Sequence, residues 1–137
     1  MIILSVDYGD SRTGIAVCDK NEILASAKCT LNEKYEPKLI EKILEIIKEE
    51  KPELIVVGKP VNMDGSEGER AKKCESFASN LSQASGIKCV LFDERMTTMI
   101  AINSLNFTNT RGKERKKVID ALSAQIILQD FIDSRKN

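Results

Sequence analysis

Leu54-Ile55-Val56-Val57-Gly58 contains no polar side chain. A strand with one face in water alternates apolar and polar residues. A run that is apolar at every position has both faces covered, which is the habit of a central parallel strand. Such a strand needs a layer of structure on each side and a crossover to reach it. The residues before it meet that need. Leu39, Ile40, Ile43, Leu44 and Ile47 form one stripe at helical spacing, with Glu41, Lys42, Glu45 and Lys48 opposite. This predicts an amphipathic helix entered near Pro37 and closed before Pro52.

The N-terminal part has a different period. Ile2-Ile3-Leu4-Ser5-Val6-Asp7 reads as a short buried strand that ends in an acid, followed by Tyr8-Gly9. A turn over residues 8–13 leads to a second strand, Gly14–Cys18. The polar turn Asp19-Lys20-Asn21-Glu22 leads to a third, Ile23–Leu31. Links this short imply an antiparallel meander. Beyond the central run, Ser66 and Glu69 fit a capping box. They predict a helix that buries Ala71, Cys74, Phe77, Ala78 and Leu81 and stops at Gly86. Lys88–Phe92 is the last strand, and it delivers Asp93-Glu94-Arg95. A helix capped by Thr97 or Thr98 runs to about Leu105, and after a polar loop a final helix runs from Lys113 to Asp133. The expected fold is α/β. It has a five-stranded mixed sheet whose first three strands form the meander. The fourth and fifth strands run parallel to the first, and helices lie on both faces. The chain reads as one domain over residues 1–137.

Composition narrows the chemistry. There is no histidine, which excludes a histidine general base, a Ser-His-Asp triad and any histidine-held zinc or haem. Cys18, Cys29, Cys74 and Cys89 have no C-x-x-C spacing and read as small buried hydrophobes in a reducing compartment. No basic leader or membrane-length apolar run is present, so the expected location is cytoplasmic, without a membrane partner. Formal net charge is zero. Nucleic-acid binding would therefore need a local patch. Arg111, Lys113, Arg115, Lys116 and Lys117 supply one, offset only by Glu114. Cations are mildly unfavourable at a helix N-terminus, which favours a phosphate-binding role over a merely solvated face.

Three acids sit in apolar contexts. Asp7 ends the first strand, where α/β proteins open their sites to solvent. Glu94 follows the fifth strand and is the acid expected to share a face with Val90 and Phe92. Asp120 lies on the face of Ala124, Ile127 and Phe131, the middle of the last helix's stripe. Each has a plainer reading: a turn cap for the strand-end acids, and for Asp120 an ion pair with Arg95 or Arg12, or a wet first-turn acid. Together they form a histidine-free set of hard oxygen ligands suited to Mg²⁺ or Mn²⁺. Two such ions about 3.5–4 Å apart can activate water and stabilise the leaving oxygen of a phosphodiester.

The residues also carry a resemblance. Asp7-Tyr8-Gly9 with Arg12–Val17, Val57–Pro60 with Asn62–Gly68, Asp93-Glu94-Arg95 with Thr97-Thr98, and Ile119–Leu128 come in this order over essentially the whole chain. They resemble the motifs of the YqgF/RuvX family of pre-16S rRNA nucleases, also called Holliday-junction-resolvase-like proteins. The resemblance implies an RNase H-like fold and a bacterial protein that matures the 5′ end of 16S rRNA. It maps the family's acidic positions onto Asp7, Glu94 and Asp120. Cys18, Lys59 and Phe92 stand where serine, an apolar residue and tryptophan are commoner; none of these departures removes a carboxylate. Asn62 and the amides of residues 64–68 are expected to contact phosphate at a helix N-terminus. Arg12 and Arg95 either contact phosphate or hold the acids, and Gly58 and Gly65 either serve the site or simply serve turns.

Four functions fit these features. The first is a metal-dependent endonuclease on structured RNA, acting on free precursor or on ribosomal precursor particles, as monomer or homodimer. The second is a resolvase of branched DNA, which must dimerise to cut two strands symmetrically. The third is a non-catalytic nucleic-acid-binding assembly factor. The fourth is half of an actin-like ATPase, because Asp7-x-Gly9 before Gly14 is similar to that superfamily's first phosphate loop; one domain of 137 residues is too short to enclose the nucleotide.

Overall fold

The computed structural model describes residues 1–60, 67–93 and 112–136, with side chains in the last segment from Ala121 onward. The elements are β1 (Ile3–Asp7), β2 (Arg12–Cys18), β3 (Ala25–Asn32), α1 (Glu36–Glu50), β4 (Leu54–Lys59), α2 (Glu69–Ser85), β5 (Cys89–Asp93) and α3 (Gly112–Ser134). The strands form one sheet in the order β3-β2-β1-β4-β5. β1 pairs antiparallel with β2, and β2 with β3. β1 pairs parallel with β4, and β4 with β5. This is the predicted mixed sheet, with β1 at its centre.

Alternation along the strands sorts the core into two layers. Leu4, Val6, Ile15, Ile55 and Val57 pack under α1 and α2, against Leu39, Ile43, Phe77 and Leu81. Ile3, Ala16, Leu54 and Val56 face the other way and pack under α3, against Ala124, Ile127, Leu128 and Ile132. β4 is thus covered on both faces, which is why its sequence needs no polar position.

Several expected boundaries move. β3 starts at Ala25, because the Asp19 carboxylate accepts the amides of Ile23 (2.8 Å) and Leu24 (2.9 Å) and keeps them out of the ladder. α2 starts at Glu69, with Gly68 as an extended N-cap and no side-chain cap. The predicted capping box therefore does not set this helix start. Glu69 instead sits in the first turn, where the helix dipole favours an acid. In α1, Ile46 is buried and Leu44 only half-buried. In α3, Ala124 and Ile127 are buried as expected, but Phe131 is half-buried at the edge of the stripe, edge-on to Phe92. Cys18 and Cys74 are buried and Cys29 and Cys89 intermediate; all four are free thiols. The helix expected between Thr97 and Leu105 lies outside the described residues. Among the described residues, no helix is long and apolar enough to cross a membrane.

Candidate functional site

β1 splits its side chains between the two layers. Ile3, Ser5 and Asp7 alternate with Leu4, Val6 and Tyr8, so Asp7 shares the α3 face with Ile3. Ser5 is the lone polar side chain inside this apolar strand, and it is fully buried. Its hydroxyl donates to the Ala124 carbonyl oxygen at 2.7 Å and fastens α3 to β1.

Asp7 is half-buried at the strand's exit. It stands opposite Gly14 in the β1–β2 register. On the other side, Val6 pairs with Val57, and the next residue of β4 is Gly58. Both sheet neighbours of Asp7 thus lack a Cβ. The turn reading of Gly58 is corrected here: it lies inside β4, paired with Phe92. A glycine within a strand commonly marks a place where a ligand or another backbone approaches closely.

The turn after Asp7 is tightly held. A Cβ on Gly9 would collide with the Arg12 carbonyl oxygen, so only glycine fits this turn. The Gly9 amide donates to the hydroxyl of the buried Thr13 at 3.4 Å. Tyr8 points away from Asp7, stacks on Phe77 with ring centroids 4.2 Å apart, and donates its hydroxyl to Glu36 at 3.2 Å. Burial first, and then the neighbouring Glu36, push the Tyr8 phenol above its ordinary pKa and keep it a neutral donor.

Arg70, in the first turn of α2, reaches back to the same turn. Its guanidinium donates to the Tyr8 carbonyl oxygen and to Asp10 Oδ1 (2.6 Å), and lies over the Tyr8 ring 5.5 Å from its centroid. Sequence reading passed over Arg70, because nothing in Glu69-Arg70-Ala71-Lys72-Lys73 separates it from a solvated helix start. At the end of β4, Lys59 pairs with Glu75 (2.9 Å) and with Glu67. Lys59 thus ties the end of β4 to α2.

Helix α3 runs opposite to β1. Its C-terminal end lies by the start of β1, where Arg135 and the N-terminal ammonium both pair with Glu22 (3.1 Å each). Asp120 precedes Ala124 by one turn, roughly 6 Å along the helix. Asp7 lies two residues beyond Ser5, roughly 6–7 Å along the strand. Since Ser5 and Ala124 touch, both steps lead toward the same end of the sheet.

The other predicted residues divide as follows. Arg12 is half-buried at the start of β2, with the parity of Gly14 and Ala16. Asn62, Glu94 and Arg95 lie outside the described residues. Lys113, Arg115, Lys116, Lys117 and Asp120 lie on α3, with their side chains outside them. Among the described residues, no three potential metal ligands cluster. Of the three predicted ligands, Asp7 is the one whose side chain is described. An all-carboxylate donor set, with Asp7 at the edge of the dry core, fits a hard divalent ion and not a soft one.

A model of the RuvX family, described as Holliday junction resolvase, matches residues 1–134. The chain belongs to this family. It is therefore a nuclease, a hydrolase of phosphodiester bonds. A candidate pre-16S rRNA nuclease of Caldanaerobacter subterraneus is 40% identical over 139 residues, covering 100% of this chain and 99% of that protein. Another, of Nitrosospira multiformis, is 38% identical over 132 residues, covering 96% of this chain and 87% of that protein. Among solved structures, Thermus thermophilus RuvC in complex with a Holliday junction aligns with a TM-score of 0.62 at 14% identity, over 99% of this chain and 96% of that one. The likeness shows the RuvX chain to have the RNase H-like fold.

Proposed function

We propose that this RuvX protein is a metal-dependent endonuclease that processes the 5′ end of pre-16S rRNA in the bacterial cytoplasm. The observation that carries the reading is Asp7: a half-buried carboxylate at the exit of the central strand, with glycine on both sides. The names of its full-length relatives support the RNA substrate.

Asp7, Glu94 and Asp120 would hold Mg²⁺ or Mn²⁺. When bound, the ions supply Lewis acidity and a nucleophilic water at neutral pH. Glu94 follows β5, whose Val90 and Phe92 pack toward α3. Gly14 and Gly58 place no side chain beside Asp7, where the substrate's phosphate would lie. Arg70 fixes the peptide that follows Asp7, so the carboxylate is positioned before substrate arrives. Arg12, Asn62 and Arg95 contact phosphate near the scissile bond. Lys113, Arg115, Lys116 and Lys117 hold the backbone beyond it.

The test is cleavage of a 16S rRNA precursor with Mg²⁺ or Mn²⁺, beside an EDTA control and the Asp7→Asn variant. Removing one member of such a catalytic set is expected to lower turnover by on the order of 10⁴-fold or more without lowering the melting temperature. Wild-type turnover by Asp7→Asn would sink the carboxylate site. A four-way DNA junction is the second substrate, because the family description names a Holliday junction resolvase. Preferential, symmetric cutting of the junction by a dimer would replace the RNA reading.

A further inference from the structure

Asp7 is the last residue of β1. The register with β4 runs as far as Val6 opposite Val57, and the register with β2 as far as Asp7 opposite Gly14. Strand ends open more readily than strand centres. What holds the residue just past the ladder therefore bears directly on where the carboxylate points.

That residue is Tyr8, and it is held at three points. Its ring lies on the fully buried Phe77, with centroids 4.2 Å apart and 8° between the planes. Its hydroxyl donates to one Glu36 carboxylate oxygen at 3.2 Å, and the other oxygen of Glu36 accepts from Asn80 at 2.9 Å. Its carbonyl oxygen accepts from Arg70. Glu36 comes from α1, and Phe77, Asn80 and Arg70 come from α2. Both helices of one layer thus grip a single residue, by its side chain as well as by its peptide.

Successive residues of an extended chain point to opposite faces, so a rotation of the strand end about its axis moves both side chains together. A rotation that swung Asp7 out of place would drag the Tyr8 ring off Phe77. We propose that Tyr8 is a positioning residue for Asp7: its ring, clamped on the α1 and α2 side of the sheet, fixes the direction in which the carboxylate leaves the other side. The proposal rests on the reading of Asp7 as a metal ligand and deepens it. It is separate from the hold by Arg70, which acts on a main-chain oxygen that every Tyr8 variant keeps.

The experiment measures Mn²⁺ binding by paramagnetic-resonance titration, together with cleavage of the 16S rRNA precursor. Wild type is compared with Tyr8→Ala, Tyr8→Phe, Asp7→Asn and a control, Ile46→Ala. Ile46 belongs to the same core layer and lies roughly 15 Å along α1 from Glu36. Tyr8→Ala is expected to weaken Mn²⁺ binding and to lower kcat by roughly 10–100-fold each, as for other groups that orient a metal ligand. KM for the RNA stays within about twofold of wild type, since no substrate contact is lost. Tyr8→Phe keeps the ring on Phe77 and recovers most of both losses. Ile46→Ala melts earlier but, assayed well below its melting temperature, keeps Mn²⁺ affinity and kcat. Should Tyr8→Ala not fold, Phe77→Leu removes the stacked ring instead, with a smaller loss in the same two readouts. Wild-type Mn²⁺ affinity and kcat in the folded variant, with Asp7→Asn still losing both, overturn the role of Tyr8 and leave the nuclease reading intact. Equal losses in Ile46→Ala also overturn it, since a loosened core would then be the cause. A wild type that neither takes up Mn²⁺ nor cuts overturns both.

Discussion

The two ends of the central sheet use the same side-chain chemistry for different purposes. At the end where β1 begins, polar groups close the structure. Asp19 collects the amides of Asn21, Ile23 and Leu24. Glu22, in the left-handed region at φ 54°, joins the N-terminal ammonium to Arg135. Gln129 accepts the Ala25 amide and donates to the Ile23 carbonyl, locking the turn onto α3. At the end where β1 exits, the described polar groups instead hold the turn that follows Asp7. Asp7 has glycines beside it, Arg70 of α2 holds the turn that follows it, and Lys59 at the end of β4 pairs with Glu75 of α2. An end that only closes the fold can place its carboxylates against amides and ammonium groups. At the other end the carboxylate of Asp7 stands instead between two strand residues that carry no side chain.

Three substitutions probe this contrast, beyond the loss of turnover expected of Asp7→Asn. The largest effect belongs to Arg70→Ala at the open end. It removes the guanidinium from the Tyr8 carbonyl and from Asp10 and, on the proposed reading of Asp7 as a metal ligand, is expected to lower kcat by roughly 10–100-fold. KM changes less, and Arg70→Lys restores part of the rate. Steady-state kinetics check this, and an unchanged kcat would show that the turn holds itself.

Ser5→Ala lies between the two ends. It deletes the buried hydrogen bond to Ala124 and is expected to cost about 1 kcal/mol in urea denaturation. It also loosens α3 and so lowers turnover in parallel. If stability falls while turnover does not, the docking of α3 at Ser5 is not what sets the position of Asp120.

The smallest effect belongs to the closed end. Asp19→Ala is expected to lower the melting temperature slightly and leave cleavage unchanged. Its signature is in pH. The amides of Leu24 and Ile23 hold the Asp19 carboxyl below its ordinary range, and the N-terminal ammonium does the same for Glu22. A depressed folded-state pKa gives stability that is present above the unfolded value and lost as pH falls through the folded one. Thermal melts of the wild type therefore decline below about pH 4, and Asp19→Ala shows a shallower decline. An identical acid limb in the two proteins would mean that the turn contributes nothing to it.

Periodicity in the sequence determined the elements and their layering, because both follow from local burial. The unbroken Leu54–Val57 run required a doubly covered strand, and the stripe on α2 named its five buried residues correctly. The position of Asp7 at a strand exit was legible for the same reason. Local patterns failed where a distant or neighbouring group captured a backbone amide, as Asp19 does at Ile23. They also failed where the helix start depended on Gly68 instead of the expected capping box. Tertiary structure alone decided that Gly14 and Gly58 flank Asp7, since strand register is a pairing between segments far apart in sequence. It alone brought Arg70 to the Tyr8 carbonyl, 62 residues away. The sequence determined which groups were available for phosphodiester chemistry; packing decided which of them stand at the exit of the central strand between residues that carry no side chain.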